Sequence, residues 1–187
     1  GIDYVVIDEC KKCFGLNHMN MTLIKSNKGL FKLDDSINEY AFNCSISEKE
    51  CIYYMMDYWD NIGDMRKYSD VVDPSVVYEC IKIILFNGLF LSSDNIIRNI
   101  LINKDHKLLS IDEDDLFGKT KFIFQKSVWP KKEKFRDMIY SIIDEFLKNK
   151  TTIKSNVKMI FEKYNFDKID VFNDRLDNFK DLVISEF

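Results

Sequence analysis

Three polar residues within 91–115, LSSDNIIRNILINKDHKLLSIDEDD, have types and spacing suited to phosphate chemistry. Asp94 precedes Asn99 by 5 positions (99 − 94), and Asn99 precedes Asp112 by 13 (112 − 99). Phosphoryl transfer needs the phosphate charge neutralised and a hydroxyl nucleophile oriented in line. Mg²⁺ takes hard oxygen ligands and keeps several waters, so one carboxylate and one amide oxygen suffice. A further carboxylate nearby orients or deprotonates the acceptor hydroxyl. The set therefore makes Asp94 a candidate base, and Asn99 and Asp112 candidate Mg²⁺ ligands.

Such residues work only if the chain brings them together. NILI (99–102) and KLLSI (107–111) are strand-like and are joined by NKDH, which predicts a β-hairpin with Asn99 at its entry and Asp112 at its exit. A hairpin of this length returns its ends to about 5 Å, one inter-strand spacing. A helix should feed it. Asp73 before Pro74 reads as an N-cap with proline at N1. Val77, Cys80, Ile81, Ile84 and Leu85 continue the apolar stripe, and Gly88 is the expected stop.

Elsewhere, YVVI (4–7) reads as a short strand. MNMTLI (19–24) and LFKL (30–33) flank KSNKG and read as a hairpin, closed by the acidic 34–36. Ser47 and Glu50 form a capping box, and Ile52, Met55, Met56 and Trp59 then fall on one helix face. After an irregular 116–129, with a short strand at KFIF, Pro130 opens a helix burying Phe135, Met138, Ile139, Ile142, Ile143 and Phe146. Ile153, Val157, Ile160, Phe161 and Tyr164 mark another, and Val171, Phe172, Leu176, Phe179, Leu182 and Val183 the last. The fold class is α+β: a small N-terminal β-hairpin region, then a predominantly helical body.

The 187 residues suit one domain, or one with a small lobe, and 46% hydrophobic content supplies a substantial core. No apolar run of about 18 residues occurs, so no membrane span is expected. Neither is a signal peptide, since no basic start leads into an apolar stretch. Net charge is −4 with signs interspersed, which disfavours a nucleic-acid surface. Cys10 and Cys13 form a lone CxxC, and only His18 and His106 exist to complete a zinc site. Reduced thiols, and with them an intracellular, cytoplasmic setting, are the expectation.

The 94–112 segment resembles the catalytic and metal-binding loops of the protein-kinase-like superfamily. That pattern is Asp, four residues, Asn, then twelve residues to the metal-binding Asp. Ser-Ile-Asp at 110–112 is closest in style to the phosphoinositide and atypical, lipid-kinase-like members. The resemblance implies a kinase-like fold, mainly its large lobe. Residues 1–36 would be a minimal or incomplete N-lobe and hinge, with MTLIKSNKGLFKLDD as the hairpin leading into the hinge, and 37–187 a helical C-lobe. It implies an ATP- and Mg²⁺-dependent phosphotransferase acting on a hydroxyl acceptor, be it protein, lipid or small molecule. Asp94 would be the base, and Asn99 and Asp112 the Mg²⁺ ligands. There are departures. Ser92-Ser93 replaces the usual His-Arg, Glu113-Asp114 follows Asp112 where Phe-Gly would, and no Gly-rich loop or strand-Lys and helix-Glu pair is assignable. They keep open a kinase-like fold, or fragment, without catalysis that serves as an interaction or regulatory module.

Plainer readings exist for each residue. Asp94 alone would be a helix cap, Asn99 a turn amide and 112–115 a solvated acidic loop. An EF-hand starting at Asp112 fails, because Phe117 and Ile123 stand where it needs Gly and Glu. Arg98 reads as a structural ion pair before a phosphate ligand, and Lys25, Lys28 and Lys32 as solvated hairpin lysines.

Overall fold

Asp73 and Pro74 start the helix α2 (Pro74–Leu89) where expected, the Asp73 carboxylate accepting the Ser75 amide at 2.9 Å. The computed structural model describes residues 2–26, 51–56, 58–66, 73–92, 97–113, 116–118 and 132–186, and of 22–26, 51–55 and 132–133 the backbone alone. Helix α1 spans Asp3–Cys13. Strands β1 (Thr22–Ser26) and β2 (Cys51–Met55) pair antiparallel as a ribbon. A second antiparallel sheet has the order β3 (Gly63–Asp64), β4 (Ile100–Ile102), β5 (Leu108–Ser110). Helices α3 (Arg136–Lys148), α4 (Lys150–Lys163), α5 (Ile169–Asp177) and α6 (Phe179–Ile184) complete an α+β architecture rich in helix.

The core is largely aliphatic, and a network of phenylalanines within it links nearly every helix. Phe14 of the α1 C-cap meets Phe86 edge-on at 5.1 Å and Phe146 at 4.8 Å, tying α1 to α2 and α3. Phe90 lies 5.1 Å from Phe172 of α5. Each such ring, fully buried, is worth roughly 1.5–3 kcal/mol of transfer free energy. Ile139, Ile142, Ile143 and Phe146 are buried along α3, and Ile153, Val157 and Phe161 along α4, as the 3.6-residue period requires.

Several expectations are corrected. Residues 4–7 are helical, not a strand. The β-branched run is a weak preference, and α1 buries Val5, Val6, Ile7 and Cys10 around much of its circumference, so packing decides. The predicted helix through Ile52 and Met55 is strand β2, and Met56, expected on its buried face, is 48% exposed. A short apolar run fits either period, and the ladder to β1 settled it. Strand β1 pairs with β2, and the hairpin partner expected at 30–33 lies outside the described residues, as do Ser47 and Glu50. Helix α2 continues through Gly88 to Leu89, and the last predicted helix is two, α5 and α6, parted at Asn178.

Candidate functional site

The β4–β5 hairpin forms with Ile100 opposite Ser110 and Ile102 opposite Leu108. Asn103 builds its turn. The Asn103 side-chain oxygen accepts the amides of Asp105 and Lys107, at 3.0 and 2.9 Å, and its backbone carbonyl accepts that of His106. His106 has φ 60°, the left-handed conformation that such a tight return demands.

Beyond the last paired residues, the Ile111 amide donates to the Asn99 carbonyl at 2.8 Å. The ladder thus runs one step further and sets Asn99 opposite Ile111, with Asp112 next in the chain. Asn99 ends a 3-10 turn (Ile97–Asn99) and is 8% exposed. Asp112 is exposed, with φ 64°. Its neighbours are not loose: Ile111 is partly and Glu113 fully buried. Both metal-ligand candidates therefore stand at the open end of one hairpin. Asp94, the candidate base, lies outside the described residues, together with 93, 95 and 96, and so do Asp114 and Asp115. Arg98 is exposed on the same 3-10 turn.

Helix α1 supplies what the sequence reading missed. The Lys11 ammonium, 1% exposed, donates to the Ser110 carbonyl at 2.8 Å and to Glu113 Oε2 at 2.9 Å, and sits 4.0 Å from Asp8 Oδ1. Asp8 is fully buried, and its carboxylate accepts the amides of Met19 and Met21 at 2.7 and 3.1 Å. Tyr4 Oη donates to Asp112 Oδ1 at 3.3 Å, and the Leu116 amide to Asp3 Oδ2 at 3.3 Å. From the other side, the Phe117 amide donates to the Phe90 carbonyl at 2.9 Å, just past α2. Among the described residues of the loop 111–118, Asp112 alone is exposed. The signal was legible only once α1 was known to be helical. Tyr4 and Lys11 are then two turns apart on one face, where a lysine among Ile7 and Phe14 is out of place.

Two buried polar atoms at this loop, Ser110 Oγ and Glu113 Oε1, have no hydrogen-bond partner, and neither has Ser92 Oγ after α2. Among the described residues no three His, Cys, Asp or Glu side chains gather as a metal site. The Cys10, Cys13 and Cys80 thiols are free, burial pushing Cys13 up to about 11 and Cys80 up to about 12. An open depression of about 350 Å³ lies between α1 and α4, lined by Glu9, Lys12, Cys13, Asn156, Met159, Ile160 and Lys163. Glu9 Oε1 there accepts from the Lys163 ammonium at 2.6 Å and from the Tyr164 hydroxyl at 2.7 Å. Among the described residues, no helix is long and apolar enough to cross a membrane. Comparison with protein-family models, with curated proteins and with solved structures gives no match to this chain.

Proposed function

We propose that the chain is a kinase-like, ATP- and Mg²⁺-dependent phosphotransferase acting on a hydroxyl acceptor, with Asp94 as base and Asn99 and Asp112 as metal ligands. One observation carries the reading: the Asn99–Ile111 hydrogen bond, which sets a buried amide and an exposed carboxylate at the same hairpin end.

The donor set fits the ion. Amide and carboxylate oxygens are hard ligands, and a metal that keeps several waters needs few from the protein. Mg²⁺ bound with ATP would neutralise phosphate charge and orient the transferred group. This chain's own residues have the remaining tasks. The hairpin fixes the backbone positions of Asn99 and Asp112. Burial of Ile111 and Glu113 on either side leaves the Asp112 carboxylate as the exposed group of the loop. Asp94, five positions before Asn99, would accept the acceptor hydroxyl's proton.

The second reading, a kinase-like interaction module without catalysis, is favoured by Ser92-Ser93 standing where such enzymes carry His-Arg. Thermal melting with ATP separates the two. Ligand at a hundredfold its Kd adds about 2.7 kcal/mol. For a chain of this size that is roughly 5–10 °C in Tm. A rise with ATP that requires Mg²⁺ supports the phosphotransferase reading, and no rise at saturating MgATP overturns it.

A further inference from the structure

We propose that Lys11 is a positioning residue, its ammonium gripping the chain on both sides of Asp112 so that α1 holds this carboxylate in its exposed, left-handed conformation. The purpose assigned to the hold rests on the phosphotransferase reading, whereas the hold itself does not.

Lys11 cannot serve a ligand directly. It is 1% exposed, and its ammonium already donates to the Ser110 carbonyl and Glu113 Oε2. Those acceptors stand two residues before and one residue after Asp112. Asp8, the other nearby anion, is engaged by the Met19 and Met21 amides and lies at the 4.0 Å limit of an ion pair. The grip of Lys11 is therefore directed at the loop. The same helix adds Tyr4 on Asp112 and Asp3 on the Leu116 amide, so α1 engages the chain at 110, 112, 113 and 116.

The loop needs such a hold. Asp112 and Phe117 both have positive φ, 64° and 55°, a conformation that persists only when the surroundings over-determine it. A buried ion pair is a poor source of stability, since an apolar pair of similar volume often replaces it without loss. What it supplies is a fixed geometry, here at the two residues that bracket an exposed carboxylate. A purely structural Lys11–Glu113 pair and a positioning one therefore differ when both partners are replaced together.

The experiment uses the full chain and compares it with Lys11→Met and with the double variant Lys11→Met/Glu113→Leu. Three quantities are read: Tm, hydrogen exchange of the Ile111 and Leu116 amides against that of Val157 in α4, and calorimetric affinity for MgATP. Lys11→Met alone leaves Glu113 buried and unpaired and should melt far below the parent. The double variant should recover most of the Tm. Its Ile111 and Leu116 amides should still exchange about tenfold faster or more, as expected when a charged hydrogen bond is lost locally, with Val157 unchanged. MgATP affinity should fall about tenfold with them.

Parental exchange at both amides in a folded double variant overturns the proposal, leaving the pair structural. Should the double variant not fold, Glu113→Gln is read instead. It keeps an acceptor but not the charge, and exchange at either amide raised about threefold supports the hold, while parental rates at both refute it. A parent that binds no MgATP removes the phosphotransferase reading, and the exchange measurements then decide the positioning role alone.

Discussion

The Ile111 amide donates to the Asn99 carbonyl at 2.8 Å, one step past the β4–β5 ladder. This bond brings residues 12 positions apart (111 − 99) opposite one another and delivers Asp112, the next residue, to the same end of the hairpin as Asn99.

Asp112→Asn should abolish Mg²⁺-dependent ATP binding while keeping Tm within a few degrees of the parent. Asparagine tolerates the left-handed backbone at φ 64° and still accepts from Tyr4, so only the charge is removed. Alanine is the poorer choice, because left-handed backbone costs it roughly 1–2 kcal/mol. Calorimetry of ATP with and without Mg²⁺ checks this, and unchanged Mg²⁺ dependence would take Asp112 out of the site.

Asp94→Asn should act on the chemical step. Positioned proton transfer contributes about 10²–10⁴-fold, so phosphoryl transfer should fall by that factor with near-parental ATP affinity. If Asp94 only caps a turn, asparagine serves as well and neither quantity moves. Transfer rate on a working acceptor and ATP affinity are measured as a pair, and an undiminished rate excludes the base assignment.

Stability should fall in acid partly through Glu145. Burial raises the pKa of this carboxyl, but hydrogen bonds from Lys82 at 2.6 Å and Tyr78 at 2.7 Å outweigh it and hold it below 4.5. Tyr78, pushed up to about 12 by burial and by Glu145, stays a donor throughout. Folding favours the ionised form, so the contribution is fully present above the unfolded value near 4.5 and is lost as pH falls through the folded one. Melting curves of the parent and Glu145→Gln should be apart at pH 7 and converge below about pH 4.5. A gap independent of pH would refute the assignment.

Legibility varied along the chain for physical reasons. The α2 start was plain because Asp73-Pro74 carries its own cap and fixed φ. The hairpin at 99–111 was plain because Asn103 supplies turn chemistry between two short apolar runs. Residues 4–7 and 52–55 were misread. In α1 and β2, short apolar runs fit both periods, and packing or strand pairing cast the vote.

By itself the sequence determined the α+β class, the buried stripes of α2, α3 and α4, and a hairpin with Asn99 at its entry and Asp112 at its exit. Those features depend on local periodicity, caps and turn residues, which act over a few positions. Only the tertiary structure decided that α1 is a helix, that β1 pairs with β2, and that Lys11 reaches Ser110 and Glu113 across sequence separations of 99 and 102 residues. No local pattern encodes such a contact. The ion pair exists because α1, packed against α4 and tied through Phe14 to α2 and α3, is held within reach of the open end of the hairpin, and that packing is the sum of many apolar contacts, with no single residue announcing it.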